Sequence, residues 1–235
     1  MVIPVNPNTT VASVILFYDS PTVSNPACFA PFFAIPAISS SMGFQTVSEF
    51  AIETGALVTP GINDIFFAGT VVGKTYAELQ AAVTLTNNLF FAALPTLYDA
   101  VPVDDLVLVS IDWQPIGTLW ASGSAASNPT GNVLGVDPAS KGTYLAWAGV
   151  VEWKSSQYDD VIMAWVQNTS VTINNAAQAA GLFDAFNYMG DSTGFQDVFD
   201  GYGEANKAQL LATSQKYDPL RVFQTLMPGG FKIGR

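Results

Sequence analysis

Leu106-Val107-Leu108-Val109-Ser110-Ile111-Asp112-Trp113-Gln114 is the run whose reading decides the fold. Its β-branched and aromatic residues recur at every second position, the period of a strand. Alternation puts Val107, Val109, Ile111 and Trp113 on one face, and Leu106, Leu108, Ser110, Asp112 and Gln114 on the other. The apolar face asks to be covered by helices, and the mixed face is left open. Runs of the same kind, bounded by turn residues, lie near 11–18, 62–72 and 143–153. The last of these adds Tyr144 and Glu152 to the mixed face.

Between the strands the period changes. Residues 25–33 and 46–53 read as short helices, the second with Thr46 at its cap and Glu49 three residues on. Thr75 and Glu78 repeat that capping pattern, and Leu79, Val83, Leu85, Leu89 and Phe90 keep helical spacing up to about Leu94. A Gly/Ser/Asn/Pro-rich stretch over 122–142 reads as loop. A long helix over 156–180 closes the pattern, with Gly181 as its stop. The order of elements predicts an α+β fold, a four-stranded antiparallel sheet with helices packed on one face, in a single domain spanning 1–235.

Composition narrows the chemistry. The chain has no histidine, which removes the commonest general base near neutral pH, the commonest zinc ligand and the centre of any Ser-His-Asp triad. One cysteine, Cys28, permits neither an intrachain disulfide nor a CxxC site and reads as a small buried apolar residue. No metal site is expected. Neither a GxGxxG turn nor a P-loop occurs. Nineteen acidic residues against eight basic ones give a net charge of -11, which disfavours nucleic acid. No apolar run is long enough to span a membrane. The opening residues show no leader, so a cytoplasmic protein is the expectation, with secretion open if the native chain is longer; Asn8-Thr9-Thr10 and Asn168-Thr169-Ser170 fit the glycosylation sequon. With 49% hydrophobic and 11% charged residues, a large apolar patch is expected to meet a ligand, a partner or a second copy, most simply as a homodimer.

From Gly131 onward the sequence carries a series of landmarks: Gly131-Asn132-Val133-Leu134-Gly135-Val136, a strand ending in Trp153, a helix, then Phe186-Asn187-Tyr188. Tyr202-Gly203 through Asn206 and Leu210, Lys216-Tyr217-Asp218-Pro219, Val222-Phe223-Gln224 and Pro228-Gly229-Gly230-Phe231-Lys232 complete it. This order resembles fungal members of the berberine bridge enzyme-like family of FAD-linked oxidoreductases. The resemblance implies that the chain is the substrate-binding and C-terminal region, with the FAD-binding domain absent. It implies no cofactor for this chain by itself, FAD being present only if a partner chain brings a flavin domain. It also implies a substrate-facing role for Asn187 and Tyr188, the tyrosine serving as base in several relatives, although Phe186 stands here where an aliphatic residue is more usual.

Two readings of the mixed face remain. It meets water and is polar for that reason, or it floors a small-molecule pocket. In the second reading Tyr188, Asn187 and Asp112 are the catalytic candidates, and Ser110, Gln114, Tyr144, Trp113, Trp147 and Phe66 bind substrate. Three functions follow. The first is a flavin-independent, redox-neutral cyclase or isomerase acting on an apolar polycyclic natural product of secondary metabolism. The second is a subunit or fragment of an FAD-dependent oxidoreductase, and the third a non-catalytic binding module.

Overall fold

The strand predicted at 106–114 is present as β4 (Leu106–Ile116), and the sheet is built around it. The computed structural model describes residues 1–6, 9–128 and 131–234; Asn8 of the first sequon lies outside them. β3 (Asn63–Gly73) and β5 (Thr143–Trp153) are also where alternation and bounding turns place them. β5 pairs with β3 on one side and β4 on the other, both antiparallel.

The sheet has six strands, not four, in the order β2-β1-β4-β5-β3-β6. The additions are short edge strands: β1 (Val2–Asn6) beside β4, β2 (Thr9–Ala12) outside β1, and the two-residue β6 (Phe183–Asp184) beside β3. The strand expected over 11–18 is cut to β2. Its pairing ends at Val2↔Ala12, Ser13 N donates to Met1 O, and among the described residues the apolar run beyond pairs with no strand.

Two long helices cover one face. α3 (Tyr76–Ala100) opens with the expected capping box, Thr75 Oγ1 accepting from the Glu78 amide while the Glu78 carboxylate accepts from the Thr75 amide. It passes through Pro95 and ends six residues later than its spacing suggests. Proline forfeits one backbone bond, but continuing the helix buries Leu97 completely. α6 (Asp159–Ala179) stops before Gly181, which has φ +70°.

Odd-numbered residues of the three central strands meet these helices. Phe67, Val71, Ile111, Trp147 and Val151 form the core with Phe90, Leu97, Ile162 and Ile173. Phe67 meets Trp147 edge-on at 5.9 Å and Trp165 at 6.2 Å, geometry that suits the ring quadrupoles. Such close stacking needs gaps in the sheet. A Cβ on Gly69 would run into the Trp147 ring, and one on Gly149 into Phe67. Indole N–H groups tie the layers together: Trp113 donates to Thr86 Oγ1 at 3.0 Å, and Trp165 to Ala93 O at 2.8 Å.

Two further expectations change. A register shift between Leu106 and Leu108 leaves Val107 exposed, because a bulge takes one residue out of the alternation. The stretch expected as loop contains α4 (Thr118–Ser127) and α5 (Pro138–Lys141), the latter capped by Asp137. Residues 13–61, which hold α1 (Ala30–Phe33) and α2 (Val47–Gly55), form an arm that buries almost nothing. Ile15, Phe17, Leu57 and Ile38, the last 93% exposed, stand free on it, and Cys28, expected to be buried, is exposed because the arm packs against no core. α7 (Val198–Gly201), α8 (Glu204–Tyr217) and α9 (Val222–Thr225) complete the chain.

Candidate functional site

The second face of the sheet can be read from its registers. Phe66, Val150 and Ser110 form one row across β3, β5 and β4; Ala68, Ala148 and Asp112 form the next; Thr70, Ala146 and Gln114 form the third. Asp184 of β6 extends the third row beyond Thr70, and Val72, Tyr144 and Ile116 make a fourth. The middle of this face is therefore floored by alanines, small enough for another segment to lie close against it.

That segment is 186–202. Gln196 secures it with its side-chain amide acting as a missing strand: Oε1 accepts from Ala68 N at 2.9 Å and Nε2 donates to Ala68 O at 2.6 Å. At one end of the face Val136, Tyr144, Ala146, Phe186 and Tyr202 form a second core, Phe186 stacking on Tyr202 at 5.9 Å. Lys141 pairs with the buried Asp184 at 2.7 Å beside it.

Asp191, on the turn after Tyr188, reaches the sheet. Its Oδ2 accepts from Gln114 Nε2 at 2.8 Å, so Gln114 links the crossing segment to β4. Burial raises the Asp112 carboxyl above its usual range, and the charge of Asp191 raises it further. Burial raises Asp191 as well, against the opposing effect of the Gln114 hydrogen bond. Two half-buried carboxyls thus share one polar patch. Asp112 Oδ1, Ser110 Oγ and Thr70 Oγ1 are buried on this same face without a hydrogen-bond partner among the described residues, and such groups are costly unless something donates to or accepts from them.

The structure brings Ser110, Asp112 and Gln114 onto one face, with Phe66, partly exposed, in the Ser110 row. Asn187 and Tyr188 lie on the segment that crosses it. Tyr188 is 45% exposed and its ring sits against Gly190; burial raises the Tyr202 phenol, and the nearby Tyr188 adds to that rise. Tyr144 shares the face but is fully buried in the second core, its hydroxyl accepting from Asp137 N at 3.2 Å. Trp113 and Trp147 lie on the opposite, helix-packed face. Sequence reasoning missed Asp191 and Gln196. A carboxylate after Met-Gly and a glutamine between turns carry no local signal, and each matters only through a partner far away in sequence.

Among the described residues there is no group of three or more potential metal ligands, and no helix is long and apolar enough to cross a membrane.

No family model matches the sequence, and no solved structure matches it. Curated relatives do. FAD-dependent monooxygenase sdcF of Emericella nidulans is 29% identical over 223 residues, covering 94% of this chain and 44% of its own length. FAD-dependent monooxygenase drtC of Aspergillus calidoustus is 26% identical over 94% of this chain and 40% of its own. FAD-dependent monooxygenase CTB5 of Cercospora nicotianae is 30% identical over 52% of this chain and 26% of its own. The chain thus spans less than half the length of these relatives.

They overturn the resemblance to the berberine bridge enzyme-like family, since the relatives are FAD-dependent monooxygenases. The landmarks that suggested it serve folding. Asn206 Nδ2 donates to Tyr202 O at 2.9 Å, Asp218 accepts from the amides of Val222 and Phe223, and Gln224 Oε1 accepts from Ile233 N at 3.0 Å. As for FAD itself, the second face offers hydroxyls and half-buried carboxyls, which do not fit a pyrophosphate. These residues do not make a flavin site by themselves, and chain similarity to FAD-dependent monooxygenases is the functional finding that stands.

Proposed function

We propose that this chain supplies the substrate-facing wall of an FAD-dependent monooxygenase, with the flavin held by residues outside these 235, on the same polypeptide or on a partner. The carrying observation is similarity over 94% of the chain to FAD-dependent monooxygenases more than twice as long. This reading replaces the redox-neutral cyclase or isomerase, for which the flavin-dependent relatives offer no support. The apolar arm over 13–61 also favours a larger assembly, since so much exposed hydrocarbon calls for a covering surface.

In this reading the second face contacts a small molecule. Ser110 is fully buried and does not reach it; Asp112 and Asp191 accept from substrate hydroxyls, Gln114 fixes the two carboxyls relative to each other, and Phe66 supplies an apolar wall. Asn187 and Tyr188 close one side and present an amide and a phenol. The redox chemistry belongs to the cofactor.

The test is flavin content. Protein purified from its native source should release FAD on denaturation, while the isolated 235-residue chain should not quench FAD fluorescence at micromolar concentration. A native protein without flavin would overturn the reading, as would tight FAD binding by the isolated chain.

A further inference from the structure

The helical layer has an outer surface that the proposed function leaves unused. Along α3 no charged residue occurs between Glu78 and Asp99, and along α6 none occurs after Asp160. Soluble helices normally carry charge on their outer side. Exposed positions here include Ala77, Gln80, Ala81, Thr84, Asn88 and Ala92 on α3, and Val171, Thr172 and Asn175 on α6. A shallow groove of about 670 Å³, lined by Ala77, Ala81, Thr84, Leu85, Leu89 and Ala176, runs between the two helices.

We infer that this face is where two copies of the chain meet, by a two-fold contact with α3 against α3. Three observations select a second copy. The first is charge: each copy carries -11, so acidic surfaces repel, and the uncharged face lets two copies meet without opposing or desolvating charges. The second is size. At 1.5 Å rise per residue and roughly 10 Å per helix width, α3 and α6 together present at most about 700 Å², the same order as the ~800 Å² per partner of a standard interface. The third is self-complementarity. Gln80, Thr84 and Asn88 are spaced four apart on one stripe, so an antiparallel crossing at Thr84 sets Gln80 of each copy beside Asn88 of the other. The amides then pair reciprocally, and Ala77 and Ala81 let the backbones approach. The same register keeps Glu78 away from the partner's Asp99.

Thr84 at the axis would meet its own copy, which gives a direct test on the intact chain. Sedimentation should show a dimer at micromolar concentration. Thr84→Glu and Thr84→Lys each place like charges together and should weaken association at least tenfold, with circular dichroism unchanged because the position is exposed and both residues suit a helix. An equimolar mixture of the two variants should recover the dimer. Ile38→Glu, on the apolar arm, should leave it intact. A monomeric wild type, unaffected Thr84 variants, a mixture that stays monomeric, or dissociation by Ile38→Glu alone would each overturn the proposal.

Discussion

Replacing Gln196 by leucine tests how the C-terminal segment is held over the second face. The side chain is buried, and its amide satisfies both backbone groups of Ala68 on the β6 side of β3. Leucine has a similar volume and no polar atom, so the substitution leaves a buried N–H and a buried C=O unpaired. Each costs about 1–3 kcal/mol, and apolar burial of leucine recovers about 1, so the net loss should be about 1–5 kcal/mol. For a chain of this size each kcal/mol lowers Tm by roughly 2–4 °C, which gives a fall of at least about 2 °C. Gln196→Glu should fall between, because its ionised carboxylate still accepts from Ala68 N but cannot donate to Ala68 O. Urea unfolding gives the stability, and hydrogen exchange at residues 66–70 locates the loss. A change under about 0.5 kcal/mol, or unaltered exchange at Ala68, would refute the view that Gln196 fastens this segment.

The carboxyl pair predicts a pH dependence. Asp112 and Asp191 are raised in the folded state, so the native protein binds more protons than the unfolded chain above the ordinary carboxylate pKa. Their contribution to stability is greatest below that value and is lost as pH rises through the raised folded values. Asp112→Asn should therefore raise Tm at neutral pH relative to wild type and lose that advantage near pH 3, as followed by thermal melts across the range; an equal difference at both ends would count against it. In the core, Gly69→Ala should destabilise by about 1–3 kcal/mol through collision with the Trp147 ring, whereas Gly55→Ala, where an added Cβ has open space, should not. Equal melting temperatures for the two variants would show that the sheet gives way more easily than its packing indicates.

The sequence by itself determined the elements whose cause is local. Period-two runs located β3, β4 and β5, capping boxes located the starts of α2 and α3, and Gly181 marked the end of the long helix. Alternation also placed Ser110, Asp112 and Gln114 together, because a strand's faces follow from its backbone geometry. Tertiary structure alone decided the rest. The edge strands are too short to show a period; Pro95 stays helical only because Leu97 gains a core, and Val107 leaves its face at a bulge that pairing creates. Asp191 and Gln196 matter through Gln114 and Ala68, 77 and 128 residues away in sequence. A hydrogen bond across that separation depends on how the whole chain packs, and no local pattern encodes it.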